Sequence, residues 1–218
     1  MEKLEYGFYY HIYNRGTNKK DIFIENNDYN HFLNLLSVFI EPVAYILSYA
    51  VMKNHFHILV HIKEENEIGY LNSSNSKIDD IYIKWKTYFP DINSDKLNYT
   101  IKPKPEKMFG HFFSTYAKGF NSKYLQTGSV FEHPFKRIKV ENETYLKRLI
   151  LYIHNNPVKH GFCEQIIEYP WTSYLSLISI KPTNLLRDYV IGWFDNKANF
   201  IEIHKTYKND FEDIDDFC

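Results

Sequence analysis

The chain has 218 residues, of which 44% are apolar and 24% charged, so it can bury one core, and collagen-like, low-complexity and wholly disordered classes are excluded. Its two cysteines, Cys163 and Cys218, exclude a disulfide framework or a thiolate zinc cluster, and MEKLEYGFYY lacks the apolar core of a signal peptide, so we expect a cytoplasmic, non-membrane protein. A formal net charge of -1 argues against a generic nucleic-acid binder.

The first part of the chain predicts a strand, a helix and a hairpin. Residues 7–14 (GFYYHIYN) are rich in β-forming residues and end at a turn. Asp28 can cap a helix that begins at Tyr29, carries apolar residues at helical spacing and stops at Pro42. Residues 43–52 and 55–62 are β-rich runs separated by Lys53-Asn54, a length typical of a tight hairpin.

The second part predicts an insertion followed by helices. Residues 63–105 lose the periodic pattern, and within this insertion only IYIKWKTYF suggests a short element. Residues 108–124 carry a helical stripe, residues 128–140 are extended, and Asn142 opens a helix that runs to about Asn155. Further helical material is predicted at 169–182 and 184–207, before an acidic tail.

This order of elements predicts an α+β fold of the split βαβ type. One antiparallel sheet would carry helices on one face, and a helical C-terminal extension would follow it. We therefore expect a main domain over residues 1–180, which includes the insertion at about 63–105. Residues 181–218 would form the helical extension and the acidic tail.

The distribution of charge is more informative than its sum. The last ten residues hold five acids and no base, so residues 1–208 carry a formal charge of +4. Between residues 101 and 160, eleven Lys and Arg stand against four Asp and Glu, with Phe and Tyr scattered among them. Such a segment can neutralise phosphates and stack on unpaired bases; the alternative is a solvated surface above an aromatic core.

Two sets of residues can carry chemistry. His55 and His57 are two apart in a strand whose apolar residues alternate with them, so both imidazoles point to one face and can converge on a divalent ion. Tyr152 and Asn156 are four apart on the predicted helix and share a face, where they can address the same ion or phosphate. The alternatives are histidines on a solvated strand and a tyrosine packed in the core.

Several ordered motifs together resemble a known family. AVMKNHFHILV resembles the histidine-hydrophobic-histidine motif of the HUH single-strand DNA endonucleases, and YIHNNPVKHGF resembles the tyrosine helix of their one-tyrosine (Y1) transposases. YYHIYNRGTNKKDIF, GSVFEHPFKRIKV and EYPWTSYLSL are similar to further segments of the IS200-like and REP-associated tyrosine transposases. The resemblance covers residues 7–180, apart from the insertion.

This resemblance implies a ferredoxin-like sheet and a specific active site. His55, His57 and Asn156 would hold a divalent metal ion, Mg²⁺ or Mn²⁺, and Tyr152 would be the nucleophile. The enzyme would nick single-stranded DNA at hairpin-associated sites through a 5'-phosphotyrosine intermediate and then rejoin strands. What deprotonates the tyrosine stays open, as does the choice between a monomer and a homodimer.

The DNA partner and the competing functions follow from the same resemblance. Single-stranded DNA with hairpin structure is the expected substrate, and the candidate phosphate contacts are basic residues: Arg15, Lys118, Lys123, Lys136, Arg137, Lys139 and Lys159. The alternative is a catalytically silent, domesticated DNA-hairpin-binding protein. A zinc-binding domain outside nucleic-acid chemistry ranks last, because no obvious carboxylate or thiolate partners the histidine pair.

Overall fold

The computed structural model describes residues 3–90, 99 and 101–207 of the chain. Its strands are β1 (Tyr9–Arg15), β2 (Ala44–Met52), β3 (His55–Ile62), β4 (Tyr70–Leu71), β5 (Thr87–Tyr88) and β6 (Lys136–Val140). Its helices are α1 (Asn26–Ile40), α2 (Ile81–Lys84), α3 (Pro105–Lys123), α4 (Glu143–Lys159), α5 (Tyr174–Ile178), α6 (Arg187–Gly192) and α7 (Lys197–Thr206). None of the helices in the described ranges is long and apolar enough to cross a membrane.

Four strands form one antiparallel sheet in the order β2-β3-β1-β6. Helix α1 connects β1 to β2, and α3 lies between β3 and β6, which together give the ferredoxin-like arrangement of a split βαβ unit. The β2–β3 hairpin turns at Lys53-Asn54, and Met52 pairs with His55 across it. The predicted fold class is therefore confirmed.

The two faces of the sheet are both covered by helices. Phe56, Ile58 and Val60 of β3 point to the face on which α1 and α3 pack. The prediction of helices on one face holds for this pair, but α4 and the C-terminal helices pack on the opposite face. The reason lies in β2, because Leu47, Ala50 and Met52 make that second face apolar as well.

Helix α1 begins at Asn26 and not at Tyr29 as predicted. Glu25 occupies the N-cap position, and the Asp28 carboxylate accepts hydrogen bonds from the backbone N–H groups of Ile24 and Glu25 at 2.8 and 3.0 Å. Asp28 therefore stabilises the helix from inside its first turn, as the N3 member of a capping box whose N-cap member is Glu25. The helix ends at Ile40, before the proline, as predicted.

The insertion carries a small substructure of its own where the structure describes it. Strands β4 and β5 pair antiparallel, and α2 lies within the IYIKWKTYF segment. Trp85 lies against the main body, with its ring centroid 5.4 Å from that of Phe39 and 4.5 Å from that of His111. This contact attaches the insertion to α1 and α3.

The helices α5, α6 and α7 are those predicted for the C-terminal part, and they share a core with the sheet. Tyr174, Val190 and Phe200 are buried in the same apolar cluster as Leu59 of β3 and Leu149 of α4. The division at residue 180 stays a prediction, and the acidic tail at 209–218 lies outside the described residues.

A chain of hydrogen bonds links α7 to α4 inside this second core. His204 Nδ1 donates to the Phe200 carbonyl at 2.6 Å, which leaves its Nε2, 2.8 Å from His154 Nδ1, as the acceptor. His154 Nε2 lies 2.7 Å from Ser173 Oγ, which in turn accepts from the Tyr49 N–H at 2.9 Å. Burial lowers the pKa of His204 to about 4, so both rings are held neutral.

This buried pair predicts acid sensitivity. Because the folded pKa of His204 is lowered, the unfolded chain takes up the proton first, and stability is lost as the pH falls from about 6.5 to about 4. Between pH 7 and pH 5, the unfolding free energy of the wild type should fall by about 2 kcal/mol more than that of His204→Gln, because the variant lacks this titrating group. Urea denaturation at both pH values measures it.

Phe200→Leu is the matched control, since it loosens the same cluster and removes no titrating group. Its unfolding free energy should fall by a similar amount at both pH values. An unchanged pH dependence in His204→Gln would contradict the assignment.

Candidate active site

Strand β3 places His55 and His57 on the face that α4 covers. His57 is wholly buried and His55 is 7% exposed. Their ring centroids lie 5.4 Å apart with the rings perpendicular, so the two imidazoles share one site on this face. The solvated strand face that was the alternative for this pair is not what the structure shows.

Helix α4 brings the amide of Asn156 to this pair. Asn142 caps the helix by accepting from the Tyr145 N–H at 2.8 Å, and the helix continues through Pro157 to Lys159. The predicted end at about Asn155 was therefore one turn short. Asn156 Oδ1 lies 3.2 Å from His55 Nε2, so the amide oxygen accepts a hydrogen bond from the imidazole in this arrangement.

Tyr152 lies one turn earlier on α4 and contacts the other histidine. Its ring centroid is 5.4 Å from that of His57, edge to face, and Lys159 Nζ lies 5.8 Å from the centroid of the Tyr152 ring. Only 2% of the tyrosine is exposed, as expected for core packing. Its neighbours on this side are nevertheless imidazoles and an ammonium group, which is unusual for a purely structural tyrosine.

His11 of β1 is a site residue that the sequence reasoning missed. It is wholly buried, and its Nε2 lies 2.9 Å from Nδ1 of His57. This contact commits Nδ1 of His57 and fixes the orientation of the ring. Alternation in YYHIYNR places His11 on one face with Tyr9 and Tyr13, but only the register of β1 against β3 shows that this is the His57 face.

The buried imidazoles are held neutral. The pKa of His55 is lowered to about 4, chiefly by burial; the hydrogen bond to Asn156 opposes this decrease, and the nearby charges of His160 and Arg15 add to it. Burial and the neighbouring histidines hold the pKa of His57 well below 6.5, and burial lowers that of His11 to about 3. Neutral imidazole is the form that binds metal ions.

The donor set is consistent with a divalent ion. His55 and His57 supply imidazole nitrogens, and Asn156 supplies an amide oxygen. Asn156 Nδ2 is buried and has no hydrogen-bond partner in the described ranges, so nothing there competes for the orientation of the amide. No group of three or more His, Cys, Asp or Glu able to hold a metal occurs in that part of the chain, so the set depends on the amide.

A cavity of about 230 Å³ opens beside His55. Its walls are Arg15, Lys19, Asn54, His55, His160 and Phe162. Arg15 Nε donates to Glu132 Oε1 at 2.7 Å, and the His160 ring centroid lies 5.0 Å from that of His55. The cavity carries two basic side chains, Arg15 and Lys19, and leads to His55.

The seven candidate DNA-contacting residues do not lie on one surface. Arg15 and Lys159 border the site, and Lys136 Nζ lies 5.8 Å from the ring of Tyr13, which itself stacks on His57. Lys118 is exposed on α3, and Arg137 stacks on Phe135 at 4.2 Å.

Two of the candidate residues are held in ion pairs: Lys123 pairs with Glu25 and Asp28, and Lys139 pairs with Glu5. Ion pairing favours a structural role for these last two, and Arg15 is likewise paired, with Glu132.

Comparison with known proteins bears on the fold. No family model and no curated protein matches the chain. Among solved structures, the protein is similar to a REP-associated tyrosine transposase bound to a REP hairpin, with a TM-score of 0.50 and 14% identity. The similarity covers 84% of this chain and 86% of the other. At this identity it shows the fold, which is that of the family the sequence motifs resemble.

The His11–His57 contact predicts a specific loss of stability. His11→Phe should lower the unfolding free energy by about 1–3 kcal/mol, because it leaves Nδ1 of the buried His57 without this partner. The double variant His11→Phe/His57→Phe should recover part of that loss, since no unpaired polar atom remains. Urea denaturation of the wild type, the single variants His11→Phe and His57→Phe and the double variant measures the coupling, and purely additive losses would contradict it.

Proposed function

We propose that this protein is a metal-dependent one-tyrosine transposase of the HUH type, which cuts and rejoins single-stranded DNA at hairpin-associated sites. The observation that carries the proposal is the convergence of His55, His57 and Asn156 with Tyr152 on one face of a ferredoxin-like sheet. One chain supplies all four residues. The transposase of similar fold binds a REP hairpin, which supports DNA as the partner.

The roles of these residues follow from their chemistry. His55, His57 and Asn156 would hold Mg²⁺ or Mn²⁺, which when bound polarises the scissile phosphate and stabilises charge on the departing 3' oxygen. Arg15 and the other basic groups of the cavity beside His55 would bind the phosphodiester on its way to the site. His11 would keep the His57 ring in its ligating orientation.

Tyr152 would act as the nucleophile. Its Oη attacks phosphorus in line, the P–O3' bond breaks, and the DNA 5' end becomes esterified to the tyrosine while a free 3' hydroxyl leaves. Because the intermediate is itself a phosphodiester, a second 3' hydroxyl can attack its phosphorus, displace the tyrosine and rejoin the strand without ATP.

The second candidate function is a DNA-hairpin-binding protein without chemistry. The observation that favours it is the burial of Tyr152, which is only 2% exposed and so has little room for a phosphate at its hydroxyl. A catalytic Tyr152 requires α4 to move, or the substrate to displace its neighbours. The two functions differ in whether a covalent link to DNA ever forms.

Metal binding predicts thermal stabilisation of the protein alone. Mn²⁺ at about 100 times its Kd should raise the unfolding free energy by about 2.7 kcal/mol, which corresponds to about 5–10 °C in Tm. Asn156→Ala and His55→Ala should lose this shift, whereas His31→Ala, which stacks on Tyr116 away from the site, should keep it. Mg²⁺ is tested in parallel. If neither Mn²⁺ nor Mg²⁺ changes the Tm of the wild type, the assignment of the metal ligands is contradicted.

Covalent chemistry is tested by trapping the intermediate. Wild-type protein incubated with labelled hairpin-containing single-stranded DNA and Mn²⁺ should give a protein–DNA band on a denaturing gel. Tyr152→Phe and His57→Ala should abolish it, and Tyr145→Phe, on the same helix, should retain it. DNA binding by the wild type with no covalent band, across a broad pool of hairpins, would favour the silent binder.

A further inference from the structure

Asn54, in the turn between β2 and β3, contacts the first of the two histidines of the candidate active site. Its Oδ1 lies 2.7 Å from Nδ1 of His55, whereas Asn156 Oδ1 lies 3.2 Å from Nε2 on the other side of the ring. Asn54 also lines the cavity that leads to His55. The imidazole of His55 therefore lies between two amide oxygens.

These two oxygens compete for one proton. A neutral imidazole has a single N–H group and an amide oxygen can only accept, so His55 donates to Asn156 or to Asn54 but not to both at once. With the proton on Nε2, the ring donates to Asn156 and has no lone pair on that nitrogen for an ion. With the proton on Nδ1, the ring donates to Asn54, and Nε2 is bare beside the amide oxygen of Asn156.

The bare Nε2 is the form that the proposed ligand set requires. His57 has the matching arrangement, because its Nδ1 lies 2.9 Å from His11 Nε2. Each of the two rings thus has a protein neighbour at Nδ1, and Nε2 is the nitrogen that faces the proposed ion site. Which nitrogen a histidine offers to a metal ion is set by the hydrogen bond that the other nitrogen makes.

The backbone of the turn does not require an asparagine at this position. Asparagine is favoured in two-residue hairpin turns where φ is positive, but neither Lys53 nor Asn54 has a positive φ. Backbone bonds hold the turn in place, since the Gly16 N–H donates to Asn54 O at 2.8 Å and the Ile22 and Phe23 N–H groups donate to Lys53 O at 2.7 and 2.9 Å. The side chain of Asn54 is therefore available for the adjacent histidine.

We propose that Asn54 is a positioning residue of the candidate active site, which accepts the Nδ1 proton of His55 and so leaves Nε2 bare for the metal ion. The inference rests on the proposed function, since it takes His55 as a metal ligand. It adds which tautomer of His55 binds the ion and which residue selects that tautomer. Loss of such a partner typically weakens metal binding by about 10- to 100-fold.

The tautomer is measured on the metal-free protein. Long-range ¹H–¹⁵N correlation spectra of protein with ¹⁵N-labelled histidine distinguish protonated from bare ring nitrogens, and His55→Gln identifies the signals of His55. In Asn54→Ala the proton should move from Nδ1 toward Nε2, because the acceptor at Nδ1 is gone and the one at Nε2 remains. Asn54→Asp keeps an oxygen acceptor at this place and should favour the Nδ1–H form at least as much as the wild type does.

Metal affinity is the second measurement, by calorimetric titration with Mn²⁺. Asn54→Ala should raise the Kd by about 10- to 100-fold, and Asn54→Asp should not raise it. Asn54→Leu, which has nearly the shape of asparagine but no acceptor, should behave like Asn54→Ala, so the result does not depend on the folding of one variant. Lys53→Gln is the matched control, since it changes the charge of the turn by the same amount as Asn54→Asp and should leave the His55 tautomer unchanged.

The outcomes separate this inference from the proposed function. Mn²⁺ binding that is equally tight in the wild type, Asn54→Ala and Asn54→Leu overturns the positioning role and leaves the transposase proposal standing. Weaker binding with an unchanged His55 tautomer also overturns it, because Asn54 would then act by another route. A wild type that binds neither Mn²⁺ nor Mg²⁺ overturns the ligand set, and the positioning role with it.

Discussion

The constraint on which the structure depends is that β3 is buried on both faces while one of those faces carries histidines. Phe56, Ile58 and Val60 supply an ordinary apolar face, but His55 and His57 must also be taken out of water. A buried imidazole is tolerated when it is neutral and its nitrogens find partners. Nδ1 of His57 lies at hydrogen-bonding distance from His11, and Nε2 of His55 lies at hydrogen-bonding distance from Asn156. The polar atoms that form the site therefore also tie β1 and α4 to β3.

The C-terminal helices matter to the site because they pack against α4 and hydrogen-bond to it. His204 of α7 contacts His154, which lies between the nucleophile candidate Tyr152 and the ligand candidate Asn156. His154 is bonded in turn to Ser173, which accepts from the backbone of β2. The position of α4 relative to the sheet therefore depends on residues more than forty positions away in the chain. The C-terminal helices, which the sequence suggests to be a separate extension, therefore belong to the same core as α4 and support the position of that helix.

The hairpin, the helical stripe of α3 and the order of the strands could be predicted because each depends on local patterns and a turn of fixed length. The sheet face on which α4 packs could not be predicted, since the apolar stripe of this helix fits either face of a sheet that is apolar on both faces. The partnership of His55 with Asn156 was predicted through motifs that occur together, whereas His11 was missed because its role depends on the register of β1 against β3. Asp28 was recognised as a helix-start residue but placed at the cap itself, because Asp is favourable both there and within the first turn.

If the protein acts as proposed, the burial of Tyr152 and the position of the cavity beside His55 together restrict how DNA reaches the site. The cavity lies on the His55 side, bordered by Arg15 and His160, whereas Tyr152 contacts His57, deeper under α4. Under the proposed function, a phosphodiester that entered there would meet His55 first, and the tyrosine would then have to move toward it. Because Pro157 cannot donate a backbone hydrogen bond, α4 lacks the bond from this position to the Ile153 carbonyl, beside the turn that carries Asn156 and Lys159. Under the proposed function, a shift of this turn would move Asn156 relative to His55, so substrate entry and assembly of the ligand set would be coupled.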